Sequence, residues 1–460
     1  MLDTMNITAI LRRALAGGGE FADIFYEEGS STAVVCEDGK IEKVLAGADR
    51  GVGIRVISDL RTAYAYTNEV TEMALLALAG TVSRAVQGKQ FDQPIDLRTK
   101  IVGTGFPVVI KPYDVPLQDK VALVNRGNAA ARGFDQRIRQ VMVVYRDGTV
   151  KTQIANSLGE FTEASRTGTL FMAQVVAAEG DVIQTGHEPV GKFIGYELFQ
   201  ERSPEEVAQA AARRAVMMLG ARKAPAGLMP VVLSSEAGGT MVHEAIGHGL
   251  EADLARNGMS VYTGKLGEQV ASPLVTVIDD ATIPNARGSF SFDDEGTPAQ
   301  RTVLVENGIL KGYLYDRLSA MKDGCASTGN GRREGYHAKP IVRMTNTLIA
   351  PGESSPEEIV RGVGTGLFVR KMGGGQVNTV TGDFVFEVSE GYLIENGVIG
   401  EPVRGATLTG NGPDVLKRIV QVGSDLGFGI GTCGKDGQGV PVSDAQPTLL
   451  IDEITIGGSA

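Results

Sequence analysis

Apolar residues at Ile7, Ile10, Leu11, Ala14 and Leu15 fall on one helical face, which predicts an amphipathic helix over residues 6–15 stopped by the triple glycine at 17–19. Alternation then takes over. Residues 31–36 and 40–45 flank Asp38-Gly39 and read as a hairpin, and 51–57 with 62–67 read as a further strand pair. The Ala- and Leu-rich stretch 71–86 reads as a helix, closing an α+β unit near residue 90. Residues 92–116 hold four prolines and no helical period, so they read as a linker. A second unit repeats the plan in a different order, without clear sequence identity to the first. Residues 117–132 suit a helix; 137–145, Asp147-Gly148 and 149–155 predict a hairpin; 160–178 predict further strands. Ser203, with Glu206 three positions on, marks a capping box and a helix running to Leu219, with Gly220 as its stop.

From an apolar strand at 228–233 onward, hairpin signals dominate. Asn307-Gly308 and Asn396-Gly397 each sit between strand-like runs, and two helices, 238–256 and 413–426, interrupt them. The expected fold class is α+β: N-terminal α/β units with mixed sheets, then a β-rich C-terminal domain carrying an embedded, locally distorted metal-binding helix. The expected divisions are an N-terminal α+β domain with its linker (1–110), a middle α+β domain (111–223) and the C-terminal domain (224–460).

Composition narrows the class. Over 460 residues, 42% are hydrophobic and 22% charged, as in ordinary globular proteins, while the 61 glycines fit a chain of many hairpins. A net charge of −11 without a basic cluster argues against a nucleic-acid surface. The three cysteines, Cys36, Cys325 and Cys433, are odd in number and far apart, unlike a secreted disulfide framework. The first helix carries interior arginines instead of a signal-peptide core, and no run of 18 apolar residues offers a membrane span. A cytoplasmic location is expected.

The candidate chemistry lies in HEAIGH, residues 243–248, which holds two of the four histidines. His243 and His248 could hold zinc while Glu244 activates a water. The familiar zinc-peptidase helix has its histidines four apart; here they are five apart. On a regular helix that step rotates them by about 140° and separates them by about 7.5 Å, so one metal cannot easily reach both. Either a π-bulge or a helix ending at Gly247 would bring them together, and Gly247 and Gly249 make either distortion cheaper. A locally irregular helix over 245–249 is therefore expected. A third ligand is needed. Cys433 in a tight glycine-rich turn, Cys325, His337 and several carboxylates are open candidates.

Several further runs share an order with these motifs: VHEAIGHGLEAD, RGSFSFDDEGTP, LVENGILKGYLYD, STGNGRREGY, RMTNT, GGGQVNTVTGDFVFEVSEGYLIENG and GTCGKDGQGVPVSDAQPTL. Together they resemble the TldD/PmbA family, also called modulator of DNA gyrase, most strongly over residues 228–455. With the histidine motif and the glycine-flanked cysteine present, the chain is similar to TldD-type members; PmbA (TldE) members lack the metal-binding set. The resemblance implies a zinc-dependent peptidase with His243, His248 and Cys433 as ligands. It also implies a PmbA/TldE-like companion in a heterodimer, a homodimer being the alternative, and extended, unfolded peptides as substrates. In YHAKP the histidine stands one position off the family's Tyr-Ala-His order, which leaves His337 without an assigned role.

On this reading Glu244 takes a proton from water and returns it to the leaving amine. Glu251 or Asp253 could orient an imidazole, or lie on a solvated helix face. Asp293, Asp294 and Glu295 could face substrate or the metal surroundings, or form a plain polar turn. Arg332, Arg333 and Tyr336, and more weakly Arg343, could bind substrate carbonyls or an oxyanion, or belong to a solvated loop. The hairpins imply sheet edges to which an extended peptide could add as a strand. The competing reading is a non-catalytic binding or scaffold subunit with structural or no zinc; a gyrase-modulating partner is a second.

Overall fold

The computed structural model describes all residues except Met1, Lys89, Gln90, Arg98, Thr99, Ser459 and Ala460. The N-terminal half is built from one motif used twice. Helix α1 (Ile7–Ala14) precedes strands β1 (Phe21–Glu37), β2 (Lys40–Ser58) and β3 (Arg61–Thr67), and helix α2 (Glu72–Arg84) follows them. After the short strand β4 (Lys100–Val102), α3 (Leu117–Arg132) precedes β5 (Ile138–Asn156), β6 (Phe161–Glu179) and β7 (Val182–Lys192). A single turn, α4 (Leu198–Glu201), leads into α5 (Pro204–Leu219). The order of the two units is the same, not different as the sequence suggested. The misreading lies at Asp147-Gly148. These residues are not a turn: Asp147 pairs with Thr32 on one side and Thr169 on the other, so two ladders hold β5 extended through them. Lys120 Nζ sits 2.6 Å from the Asp147 carboxylate. Strands 40–45 and 51–57 likewise merge into β2, because the ladder to β1 continues from Ala46 to Arg50.

The first strands of the two units, β1 and β5, pair antiparallel at the centre of one sheet, ordered β3-β2-β1-β5-β6, with β7 and β4 both bordering β6. The presumed linker 92–116 thus contributes β4 to this sheet; Arg98 and Thr99 within it lie outside the described residues. Ser203 and Glu206 complete the expected capping box, and Asn6, where the first helix was expected to start, accepts from the Ala9 amide as its N-cap. Burial pins the sheet's orientation. Residues 22, 24, 26, 34 and 36 of β1 pack beneath the helices, in two cores around Leu11 and Leu75 and around Leu123 and Ala211. By the two-residue period of a strand, Asp23, Phe25 and Glu27 face the opposite side, toward the C-terminal half.

That half contains β8 (Arg222–Lys223), β9 (Gly227–Leu233), β10 (Val277–Asp280), β11 (Arg301–Glu306), β12 (Ile309–Leu310), β13 (Gly331–Arg332), β14 (Ile341–Val342) and β15 (Asn346–Ile349). Then come β16 (Thr365–Val377), β17 (Asp383–Glu395), β18 (Val398–Arg404), β19 (Thr407–Asn411), β20 (Ile419–Val422), β21 (Gly427–Lys435), β22 (Gln438–Gln446) and β23 (Leu449–Gly457). One sheet runs β12-β11-β10-β15-β22-β21. The other runs β16-β9-β23-β19-β17 and closes on itself because β16 also pairs with β17. Asn307-Gly308 and Asn396-Gly397 form turns with positive φ, as their type requires. The expected helix 413–426 is only Gly412–Lys417; the β-branched Ile419 and Val422 enter β20, where Ile419 pairs with β23 opposite Ile451. Between the sheets lies the largest core, including Val242, Ile246, Leu250, Phe386 and Ile451, so the histidine segment is embedded in it. No helix among the described residues is long and apolar enough to cross a membrane.

Candidate metal centre

The expected helix 238–256 forms as four short pieces. Thr240–Val242 begins it, His243–Gly247 is a π-helical turn, His248–Leu250 tightens, and Ala252–Arg256 resumes the α-helix. The His248 amide donates to the His243 carbonyl, the five-residue bond that puts both histidines on one face. The two glycines act differently from expectation. Gly247 has ordinary helical angles (φ −56°, ψ −56°), so no unusual backbone is being relieved. A Cβ there would lie 2.2 Å from Met344 Sδ, and one at Gly249 would lie 2.6 Å from the Tyr262 ring. They are small because their neighbours are close.

Cys433 completes the cluster from the edge strand β21, not from a turn; Asp436-Gly437 supplies the turn beyond it. Its Sγ is 3.3 Å from His243 Nε2 and 3.4 Å from His248 Nε2. The imidazoles stand nearly perpendicular, at 89°. Tetrahedral bonds of zinc to nitrogen and thiolate would space such atoms about 3.5 Å apart. Two imidazoles and one thiol converging at nearly that spacing fit a borderline-soft divalent metal. Among the described residues no other His, Cys, Asp or Glu set converges this way. Cys325 is exposed, and His337 is a half-exposed neighbour of Glu334.

The surroundings hold these groups in place. Glu251, fully buried, puts Oε2 3.1 Å from His248 Nδ1 and 3.0 Å from Lys435 Nζ. Asp253 engages Lys435 through both oxygens at 2.8 Å, so it reaches the cluster through the lysine and not through an imidazole. Neither carboxylate lies on a freely solvated face. The Arg343 guanidinium donates to the Cys433 carbonyl and, at 3.1 Å, to that of Gln438, bracing the β21–β22 hairpin. Burial opposes the thiolate, but the hydrogen bonds and charges of the two histidines overcome it and bring the Cys433 thiol down to about 5. Glu244 moves the other way: burial raises its carboxyl, against the two histidines.

Glu244, His243, His248 and Cys433 line one cavity of about 750 Å³. Gly373–Gly375 and Gln376 of β16 form one wall, and Gly429–Lys435 of β21 another. Both walls are strand edges. β16 pairs with β9 only through Val369, and β21 ends its sheet. Lys435 and Asp444, which escaped the sequence reading, also line the cavity. Lys435 could have been found from its place two residues beyond Cys433, on the same side of the strand. Asp444 Oδ1 accepts from the Gly239 amide at 3.1 Å, a contact across 205 residues that no local pattern signals.

The other candidates lie elsewhere. Asp294, Glu295, Arg332, Arg333 and Tyr336 do not line this cavity. Arg333 sits over the Phe25 ring, 4.1 Å from its centroid, and its amide donates to Asp294. Arg55 joins Asp23 to Glu295 (2.6 Å), and the Tyr64 hydroxyl donates to the Tyr336 carbonyl. These residues seal the N-terminal sheet against the C-terminal half. Asp293, also buried, accepts from the Glu295, Thr297 and Gly331 amides. Arg332 donates to the Met344 and Pro441 carbonyls.

A buried imidazole and thiol with a second, partly exposed imidazole, beside a carboxylate on a shared cavity, are the equipment of a metal-dependent hydrolase. The comparisons narrow this to a family. Three profiles match in order: PmbA/TldA metallopeptidase domain 1 over residues 22–88, the central domain over 110–219 and the C-terminal domain over 226–458. The chain belongs to this PmbA/TldD metallopeptidase family. It is 39% identical to a metalloprotease TldD homolog of Haemophilus influenzae, over 96% of this chain and 93% of that one. It is 29% identical to a zinc metalloprotease TldD homolog of Saccharolobus solfataricus, over 97% and 99%. Among solved structures it resembles a modulator of DNA gyrase from Thermotoga maritima (TM-score 0.78, 25% identity, 95% and 96% covered). It also shares its fold with TldE from Thermococcus kodakarensis (TM-score 0.75, 19% identity, 98% and 100% covered).

Proposed function

We propose that this chain is a zinc-dependent peptidase of broad specificity. It would cleave extended or unfolded peptides while assembled with a PmbA/TldE-like companion or a second copy. His243, His248 and Cys433 would hold the metal. One observation carries the reading: three donor atoms of zinc-binding type meet beside Glu244 in a cavity walled by two open strand edges. The Saccharolobus relative, a zinc metalloprotease TldD homolog, supports zinc. The TldE neighbour supports a companion of the same fold.

When bound, zinc would polarise the scissile carbonyl and make water a better nucleophile, a thiolate ligand leaving it a milder Lewis acid than a third imidazole would. The protein's own groups do the rest. Glu244, facing the cavity from the π turn, accepts the proton of the attacking water and delivers it to the leaving amine nitrogen. Burial raises its proton affinity above that of a free carboxylate, which makes it a stronger base. Glu251 fixes the His248 ring from behind. The free edges of β16 and β21 offer main-chain donors and acceptors to an extended peptide. Such pairing reads no side chains and so suits broad specificity. The test is zinc quantification together with cleavage of an unfolded peptide, with and without chelator. Glu244→Ala should keep its zinc and lose cleavage; a variant that still cleaves overturns the assignment. Absent zinc, or chelator-insensitive cleavage, overturns the metal.

A further inference from the structure

Asp444 is buried, 9% exposed, and lines the metal cavity. One carboxylate oxygen, Oδ1, accepts from the Gly239 amide at 3.1 Å. No side chain among the described residues hydrogen-bonds to this carboxylate, and no lysine or arginine pairs with it. Burial raises its carboxyl, against the charge of His243 and the Gly239 amide, and its own charge is felt at Glu244. Yet it is no part of the metal cluster: among the described residues only His243, His248 and Cys433 bring their donor atoms together. A buried carboxylate of this kind is costly unless something positive reaches it.

The strands around it show what can reach it. On β21, Gly429, Gly431 and Cys433 alternate onto one face, opposite Asp444, Val442 and Val440 of β22. The two glycines leave a trough between Asp444 and Cys433, and Gly429, Gly431, Val442 and Asp444 all line the cavity. A Cβ on Gly429 would lie 2.3 Å from Asp444 Oδ1, so the carboxylate rests over bare backbone. The trough is blind at this end. A Cβ on Gly238 would lie 3.0 Å from Gly429 Cα, and one on Gly427 would lie 2.1 Å from the Ser235 carbonyl oxygen. The segment before the histidine turn thus seals β21 beyond Gly429. From Gly429 to Cys433 is about 13 Å of strand, room for about two or three residues of extended peptide. A chain lying in this trough must end at Asp444, and a buried carboxylate accepts an amino end and repels a carboxyl end.

We propose that Asp444 binds the α-ammonium group of the peptide substrate, so that the chain removes pieces of about two or three residues from amino ends. The proposal rests on the peptidase reading above and narrows its substrate from any extended segment to one with a free amino terminus. The ammonium donates to Oδ2, the oxygen that the Gly239 amide leaves free, and this places the scissile bond beside Glu244. Each hydrolysis adds one water across the peptide bond and leaves a new amino terminus, which can enter the trough next. Selection by the end of a chain reads no side chain and so agrees with broad sequence specificity.

The test compares an unfolded hexapeptide that lacks lysine and arginine, tagged with a fluorophore at its carboxyl end, with its N-acetylated twin. Binding is read by anisotropy on the zinc-loaded full chain carrying Glu244→Ala, so that neither peptide is consumed. The free peptide should bind at least about tenfold more tightly than the acetylated one. Adding Asp444→Asn should remove that preference. The amide still accepts from Gly239, so zinc content and melting temperature should stay as they were. With Glu244 present, mass spectrometry should find first cuts about two or three residues from the free amino end, and scattered or absent cuts in Asp444→Asn. Equal binding of the two peptides, or none, overturns the proposal, as does a preference that survives Asp444→Asn. An Asp444→Asn chain that loses zinc or melts early marks the carboxylate as a brace for the histidine segment and overturns it too. A preference that depends on Asp444, without cleavage by the chain that keeps Glu244, overturns the peptidase reading and leaves the ammonium site standing.

Discussion

Two buried polar clusters divide this molecule, and they differ in what they face. The first, His243, His248, Cys433, Glu251 and Lys435, opens on the cavity through the histidines, the thiol and the lysine. The second, Asp23, Arg55, Glu295, Arg333 and Asp294, lies between the N-terminal sheet and the C-terminal half and spends its charges on internal partners. Buried charge alone therefore does not mark a functional site. Donors converging on accessible space do, while charges that satisfy one another across two halves of a chain hold the fold in register.

The sharpest separation of the two comes from removing one group of each. Glu244→Ala should lower cleavage by about 10² to 10⁴, the usual worth of a positioned proton-transfer group, with the melting temperature little changed. Arg55→Ala leaves Asp23 and Glu295 as unpaired buried carboxylates. It should cost about 3–5 kcal/mol in denaturant unfolding, while the folded fraction keeps its metal. If Arg55→Ala instead abolished metal binding at unchanged stability, the second cluster would belong to the site.

Glu251→Gln tests the first cluster from behind. The amide can still touch His248 but no longer balances both its ring and Lys435. Zinc affinity should fall about 10- to 100-fold, measured by competition with a chromogenic chelator, while the apo chain still folds. An unchanged affinity would make Glu251 a purely structural neighbour.

Legibility followed the range of the forces involved. The π turn could be anticipated because a five-residue step between histidines has few local solutions, and the Ser203 capping box and the Asn-Gly turns are local in the same way. Errors arose where distant strands overruled local chemistry. Asp147-Gly148 carries a strong turn signal, yet ladders on both sides keep it extended. Gly247 looked like a source of backbone freedom, but its reason is Met344, nearly a hundred positions away in sequence. The acidic loop and the arginines were recognised as unusual. Whether they faced substrate or another sheet depended on how the two halves meet, which the sequence does not display.

The smallest predicted effect concerns the second cluster alone. Burial and the nearby Asp294 carboxylate raise the Glu27 carboxyl to about 7, Asp49 adding to this and Arg166 and Arg333 opposing it. Its folded value thus lies above the ordinary 4.5, so folding favours the protonated form. The stabilisation is fully present below about pH 4.5 and is lost as pH rises through about 7. Glu27→Gln has no proton to lose. Its free energy of unfolding should match wild type near pH 4.5 and exceed it at pH 8 by a margin on the order of 1 kcal/mol, a discounted share of what such a shift carries. A variant less stable than wild type at pH 8 would mean that Arg333 and Arg166 hold Glu27 as a carboxylate. The second cluster would then be a fully ionised network, and its contrast with Glu244, proposed above to exchange a proton, would be sharper still.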